Sequence, residues 1–142
     1  MKYLILTLCL PFMLFANSLQ EGAFMQPLVI KDQHEKNVII SADTKEIIVA
    51  FTQAQGTAIK AFLEANPNYL AEHHAVYLMD ATAVPSMVMS IFMMPKFKKY
   101  PYSIGLLEKE KDVAVFPKKE ERMTVLSLDK FKITNVSFKE SL

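Results

Sequence analysis

The sequence predicts an α/β domain: one mixed sheet with packed helices, an N-terminal hairpin and a C-terminal β-meander. Three observations predict it. Residues 46–51 and 75–79 are two short, nearly all-apolar runs, the pattern of strands buried on both faces. Each is followed by an amphipathic stretch with helical spacing. Beyond residue 100 the chain reads as β-prone runs divided by charged or short turns. Strand, helix, strand, helix, then antiparallel strands is the order of a single mixed sheet. Its first two central strands are expected parallel, joined by a right-handed crossover.

The elements follow in order. Residues 27–30 and 38–40 are β-prone and flank a polar turn at 32–37, which reads as a hairpin. After the strand at 46–51 comes Gly56, then a helix over 57–65. Ala58, Ile59, Phe62 and Ala65 share its apolar face, and Lys60 and Glu64 its polar one. Asn66, Pro67 and Asn68 stop it. The second strand, 75–79, ends at Asp80. A second helix starts at Thr82 or Val84 and runs to Met94. Pro85 suits its first turn, where a missing N–H costs nothing, and Pro95 closes it. Val84, Met87, Val88, Ile91 and Met94 form its expected core stripe, with Met89 and Met93 on the opposite side. Strands are predicted at 102–107, 113–116, 123–128 and 133–138.

Lys2, an uncharged run from Tyr3 to Phe15 and the small residue Ala16 have the order of a secretory signal. The run is shorter than the ~20 residues that span a bilayer. Cleavage is expected after Ala16, with Ser18 as the alternative. The segments are then a signal peptide at 1–16, a lead-in at 17–26 and a domain at 27–142. Residues 6–9 make a poor lipoprotein box, because Leu8 is large. The chain's single cysteine, Cys9, leaves with the signal, so the exported domain has none. An exported location follows: periplasmic in a bacterium, secreted otherwise. No later run is long enough to span a membrane. Lys and Arg number 16 against 15 Asp and Glu, and Lys2 goes with the signal. A neutral domain offers no electrostatic footprint for nucleic acid.

Three places resemble the thioredoxin superfamily, especially its exported peroxiredoxin-like and copper-assembly branches. The segment 28–38 is similar to their opening hairpin, with Glu35 where a turn glycine is common. The strand at 47–51 leads through a short loop into a helix. The segment 99–104 precedes a strand where that family places a cis-proline, here Pro101. The resemblance covers most of residues 27–128. It sets Gly56 and Ile59 on the family's two redox cysteine positions, and a strand at 133–138 replaces the family's C-terminal helix. Disulfide exchange needs a thiolate nucleophile, so a redox-inactive domain is expected. The resemblance implies that backbone beside Pro101 pairs with an extended peptide.

The candidate sites follow from these placements. Gly56 and Thr57 either cap a helix or, as a helix N-terminus, cradle an anion or peptide carboxylate. Pro101 either initiates a strand or, with Tyr100 and Tyr102, forms a shallow binding groove beside residues 53–57. Met89 and Met93, one helical turn apart, are packing residues or soft ligands for Cu(I). His73 and His74 are adjacent and diverge, which suits an exposed turn better than one metal. Asp32 with Glu35, and Glu120 with Glu121, read as solvated turns, and the sequon at Asn135 as strand sequence. No catalytic triad spacing, nucleophile elbow, phosphate loop or dinucleotide fingerprint is present. The expected function is a binding module for an exported protein or an extended peptide, with no cofactor. The alternatives are an accessory protein of copper or cofactor handling and a structural envelope component.

Overall fold

A computed structural model describes residues 18–142; the leader expected at 1–16, with Cys9, lies outside them. β1 (Leu28–Lys31) and β2 (Asn37–Ile40) pair antiparallel as the expected hairpin. The main sheet has five strands in the order β5-β4-β3-β6-β7. At its centre β3 (Glu46–Ala50) lies parallel to β4 (Ala75–Asp80), as the sequence predicts. β5 (Gly105–Leu107) continues parallel on β4. On the other flank β6 (Met123–Asp129) and β7 (Lys132–Lys139) add antiparallel. Among the described residues no helix is long and apolar enough to cross a membrane.

Alternation along β3 builds two cores. Ile47 and Val49 face one apolar cluster with Ile40, Leu126 and Ile133. Ile48 and Ala50 face the other, with Ile59, Leu63 and Tyr77. Successive side chains of a strand point to opposite faces, so an all-apolar strand needs cover on both. α1 (Gln53–Ala65) covers the second face through Gln55, Ile59 and Leu63. This is the expected apolar face turned toward Leu63, which leaves Ala65 exposed. Lys60 and Glu64 pair outside at 3.0 Å. The short α2 (Tyr69–Glu72) leads into β4.

Two sequence expectations fail. Residues 113–116 are not a strand: α5 (Glu110–Ala114) ends there. β5 and β6 lie on opposite sides of the β3–β4 pair, so the chain between them must cross the sheet rather than turn back beside it. The meander is therefore β6 and β7 alone. The second helix also starts later and runs further than predicted. It comprises α3 (Ser86–Val88), a π-helical turn (Met89–Met93) and α4 (Met94–Phe97). Pro95 sits inside it, not at its end. Proline removes one helical hydrogen bond and its ring crowds the preceding turn. The wide turn, in which Met94 N–H donates to Met89 O, accommodates both.

That extra residue per turn shifts the helix's phase. Met87, Val88, Ile91 and Phe92 face solvent, whereas Met89 and Met93 pack on the second core with Met94. The predicted stripe is thus inverted at Met87, Val88 and Ile91.

Residues 18–26 are tied to the far edge. Gly22 N–H and Met25 N–H donate to Ile133 O and Phe131 O, both at 2.8 Å, and Met25 is buried.

Candidate functional site

Helix α1 begins four residues before the sequence reading placed it. Thr52 is its N-cap, with Oγ1 accepting from Gln55 N–H at 3.2 Å. Gln55 reaches back, its Oε1 accepting from Phe51 N–H at 2.8 Å. Thr52 and Gln55 thus have the spacing of a capping box, a signal legible in the sequence. Gly56 and Thr57 are neither caps nor an anion cradle. Gly56 N–H already donates to Thr52 O at 3.0 Å, and the Thr57 hydroxyl donates to Gln53 O at 3.0 Å.

Gly56 nevertheless occupies a telling place. Its backbone is not in the left-handed region, and a Cβ added there meets only the Tyr77 hydroxyl at 3.6 Å. Glycine inside a helix costs about 0.5–1 kcal/mol relative to alanine, and neither turn geometry nor crowding requires it here. What it does is deepen a hollow of about 350 Å³ between α1, the end of β4 and the 86–97 helix. Gly56, Thr57, Tyr100 and Tyr102 all line it, together with Met93. Four of the five expected groove residues are therefore brought together, far apart in sequence though they are.

Pro101 is not among them. It is exposed and lines a separate hollow with Pro67, Leu70 and Ser103. The peptide bonds of the described residues are all trans, contrary to the resemblance. The backbone beside it is also occupied. Gln33, 0% exposed, extends from the β1–β2 turn. Its Nε2 donates to Tyr102 O at 2.7 Å and Phe97 O at 3.2 Å, and its Oε1 accepts from Ile104 N–H at 2.8 Å. An extended ligand cannot use those groups without displacing Gln33.

The hollow's chemistry is aromatic with polar edges. Tyr77 and Tyr102 rings lie 6.1 Å apart, and Tyr100 stacks on Tyr102 at 5.5 Å. Lys60 Nζ stands 5.5 Å over the Tyr100 ring. Burial pushes the Tyr77 hydroxyl well above the ordinary tyrosine range, and the neighbouring Tyr102 and Tyr100 add to it. Burial likewise raises Tyr102, with Tyr100 and Glu64 adding to it. Both phenols are thus proton donors at neutral pH. Asp80 marks one edge of the hollow. Its Oδ1 accepts from Thr82 N–H at 2.8 Å and from the Thr82 hydroxyl at 2.6 Å.

The remaining candidates lie apart. His73 stacks on Tyr69, 4.1 Å between centroids. Among the described residues no three His, Cys, Asp or Glu side chains gather in a metal-binding group. Met89 and Met93 are half-buried and pack on the second core, and Met93 also lines the hollow. Asp32 is not solvated: it is buried, with Oδ1 accepting from His34 N–H at 2.8 Å and Lys36 N–H at 3.0 Å. These bonds hold a turn in which Glu35, at φ 61°, carries the left-handed conformation.

Solved structures share this architecture. A peroxiredoxin-like protein from Aquifex aeolicus matches with a TM-score of 0.56 and 11% identity, over 88% of this chain and 79% of that one. A peroxidoxin from Mycobacterium tuberculosis matches with a TM-score of 0.56 and 15% identity, over 84% and 86%. The thioredoxin domain of a thiol-disulfide oxidoreductase from Bacteroides vulgatus gives 0.52 and 16%, over 84% and 89%. No family model and no curated protein matches the chain. At these identities the likeness establishes the fold: it is thioredoxin-like.

Proposed function

We propose that this chain is an exported, redox-inactive thioredoxin-like domain that binds an extended segment of another exported protein in the hollow beside Gly56. Residues 18–142 contain no cysteine, so the domain has no thiolate of its own for disulfide exchange. Gly56 is the observation that carries the reading. A helix-interior glycine with room for a Cβ is an avoidable cost, and the hollow it keeps open is its return. Recognition is by side chains: aromatic faces of Tyr100 and Tyr102, the Tyr77 hydroxyl, and the cation of Lys60 at the rim. Tyrosines supply large contact area with a polar end and suit such a role.

Affinity capture from the native envelope tests this with Gly56→Leu, whose side chain fills the hollow while favouring the helix. A specific partner held by wild type and lost by a fully folded Gly56→Leu supports the reading. Equal capture by both contradicts it.

A further inference from the structure

The 86–97 helix carries a second surface, which meets the hollow along Val88 and Lys96. Met87 is 70% exposed, Ile91 56% and Phe92 65%, with Val88 beside them. Their spacing of one, three and one places them along one side of the helix. Met87, Ile91 and Phe92 stand out as a ridge outside the hollow, and Val88 borders it. Lys96, Lys98 and Lys99 follow at the helix's end and are all exposed. From residue 81 to residue 107 there is no Asp or Glu. The chain as a whole is nearly neutral, so this is a local segregation of positive charge.

We propose that this ridge docks on an anionic lipid surface, with the helix lying in the interface plane. An apolar side bearing Phe, flanked by lysines and free of carboxylates, is the pattern of an interfacial helix. The lysines complement anionic headgroups, and their attraction fades within a Debye length as salt rises. The protruding ridge suits the deformable headgroup–acyl boundary, which needs no matching cavity. Tyr100, half-exposed next to the lysines, suits the same boundary, where tyrosine is enriched.

The chain has no tryptophan, so Phe92→Trp introduces a single reporter at the ridge. The protein is expressed from the full chain and used in the form its host yields. Vesicles of phosphatidylcholine with one quarter phosphatidylglycerol should shift the emission to the blue and allow quenching by brominated acyl chains. Pure phosphatidylcholine should give at least a tenfold weaker effect. In the same background, Ile91→Asp, or Lys96→Glu with Lys98→Glu and Lys99→Glu, should lower partitioning at least tenfold. Both alter exposed positions, and circular dichroism checks their fold. Unchanged emission with the anionic vesicles overturns the proposal. So does lipid-free self-association that buries the introduced indole in sedimentation experiments, which would assign the ridge to a second copy. Full partitioning by the lysine-reversed protein overturns it too.

Discussion

Gln33 Oε1 accepts the backbone N–H of Ile104 at 2.8 Å across 71 residues of sequence. With its Nε2 bonds to Tyr102 O and Phe97 O, one side chain fastens the hairpin to both the end of the 86–97 helix and the approach to β5. Buried backbone groups left without partners cost about 1–3 kcal/mol each. Gln33→Ala strands three of them and should lower stability by about 3 kcal/mol, read as a lower urea midpoint. Gln33→Glu retains an acceptor for Ile104 but sets a carboxylate against two carbonyls, so it should not rescue. A loss under about 1 kcal/mol in Gln33→Ala, the low end for a single stranded group, would mean that the hairpin docks by apolar contact alone.

Asp32 gives the same turn a pH dependence. Burial by itself would raise this carboxyl. Hydrogen bonds from Lys36 and His34 N–H, and from the Ser103 side chain, outweigh it and hold the group below its ordinary value of 3.8. A depressed folded pKa contributes stability above the unfolded value and loses it as pH falls through the folded one. Wild-type Tm should therefore fall below about pH 4, and Asp32→Asn should be less stable at neutral pH with a flatter acid limb. Parallel Tm–pH curves for the two proteins would contradict this.

The tyrosines set an alkaline counterpart. Burial and the hydrogen bond to Glu46 push Tyr69 up to about 12, and Tyr77 and Tyr102 are raised as well. Absorbance titration at the phenolate band should show these three still protonated about half a unit above the ordinary tyrosine value near 10. A raised folded pKa means that their contribution is complete below the unfolded value near 10 and is lost as pH rises beyond it. Reversible ionisation of all the tyrosines near pH 10, the unperturbed value, would contradict the packing described.

Two glycines, Gly105 and Gly56, carry opposite signs. A Cβ at Gly105 would meet Leu78 Cδ2 at 2.5 Å, and Leu78 is fully buried. Gly105→Ala should cost about 1–3 kcal/mol. Gly56→Ala should instead stabilise by about 0.5–1 kcal/mol, because its Cβ meets only an ordinary contact. Chemical denaturation of the pair reads both signs. Destabilisation by Gly56→Ala would mean that the helix needs this glycine for its own sake and not for the hollow.

The sheet's centre was legible because β3 and β4 are apolar on both faces, a pattern with few alternatives. The meeting of Gly56 and Thr57 with Tyr100 and Tyr102 was legible through the resemblance to the thioredoxin superfamily, and not from the residues themselves. Three features were not. A buried glutamine within a polar turn has the same letters as a solvated one, and only the distant carbonyls it finds separate Gln33 from its neighbours. The inverted face at Met87 and Ile91 results from a π-helical turn, which breaks the 3.6-residue period on which stripe counting depends. Residues 113–116 have strand propensity, but the crossing from β5 to β6 overrides it. The start of α1 was readable from Thr52 and Gln55, yet Gly56 was the more conspicuous punctuation.

Whether the hollow beside Gly56 is a recognition site is decided by selecting binders from a library of extended peptides. The tightest is then mapped by amide chemical shifts on the labelled protein. A recognition site there gives saturable shifts at Gly56, Thr57, Tyr100 and Tyr102, abolished by Gly56→Leu. The Gln33 side-chain amide, which does not line the hollow, should stay unmoved, because its bonds remain closed. Shifts confined to the Pro101 side, or binding that survives Gly56→Leu unchanged, would contradict it.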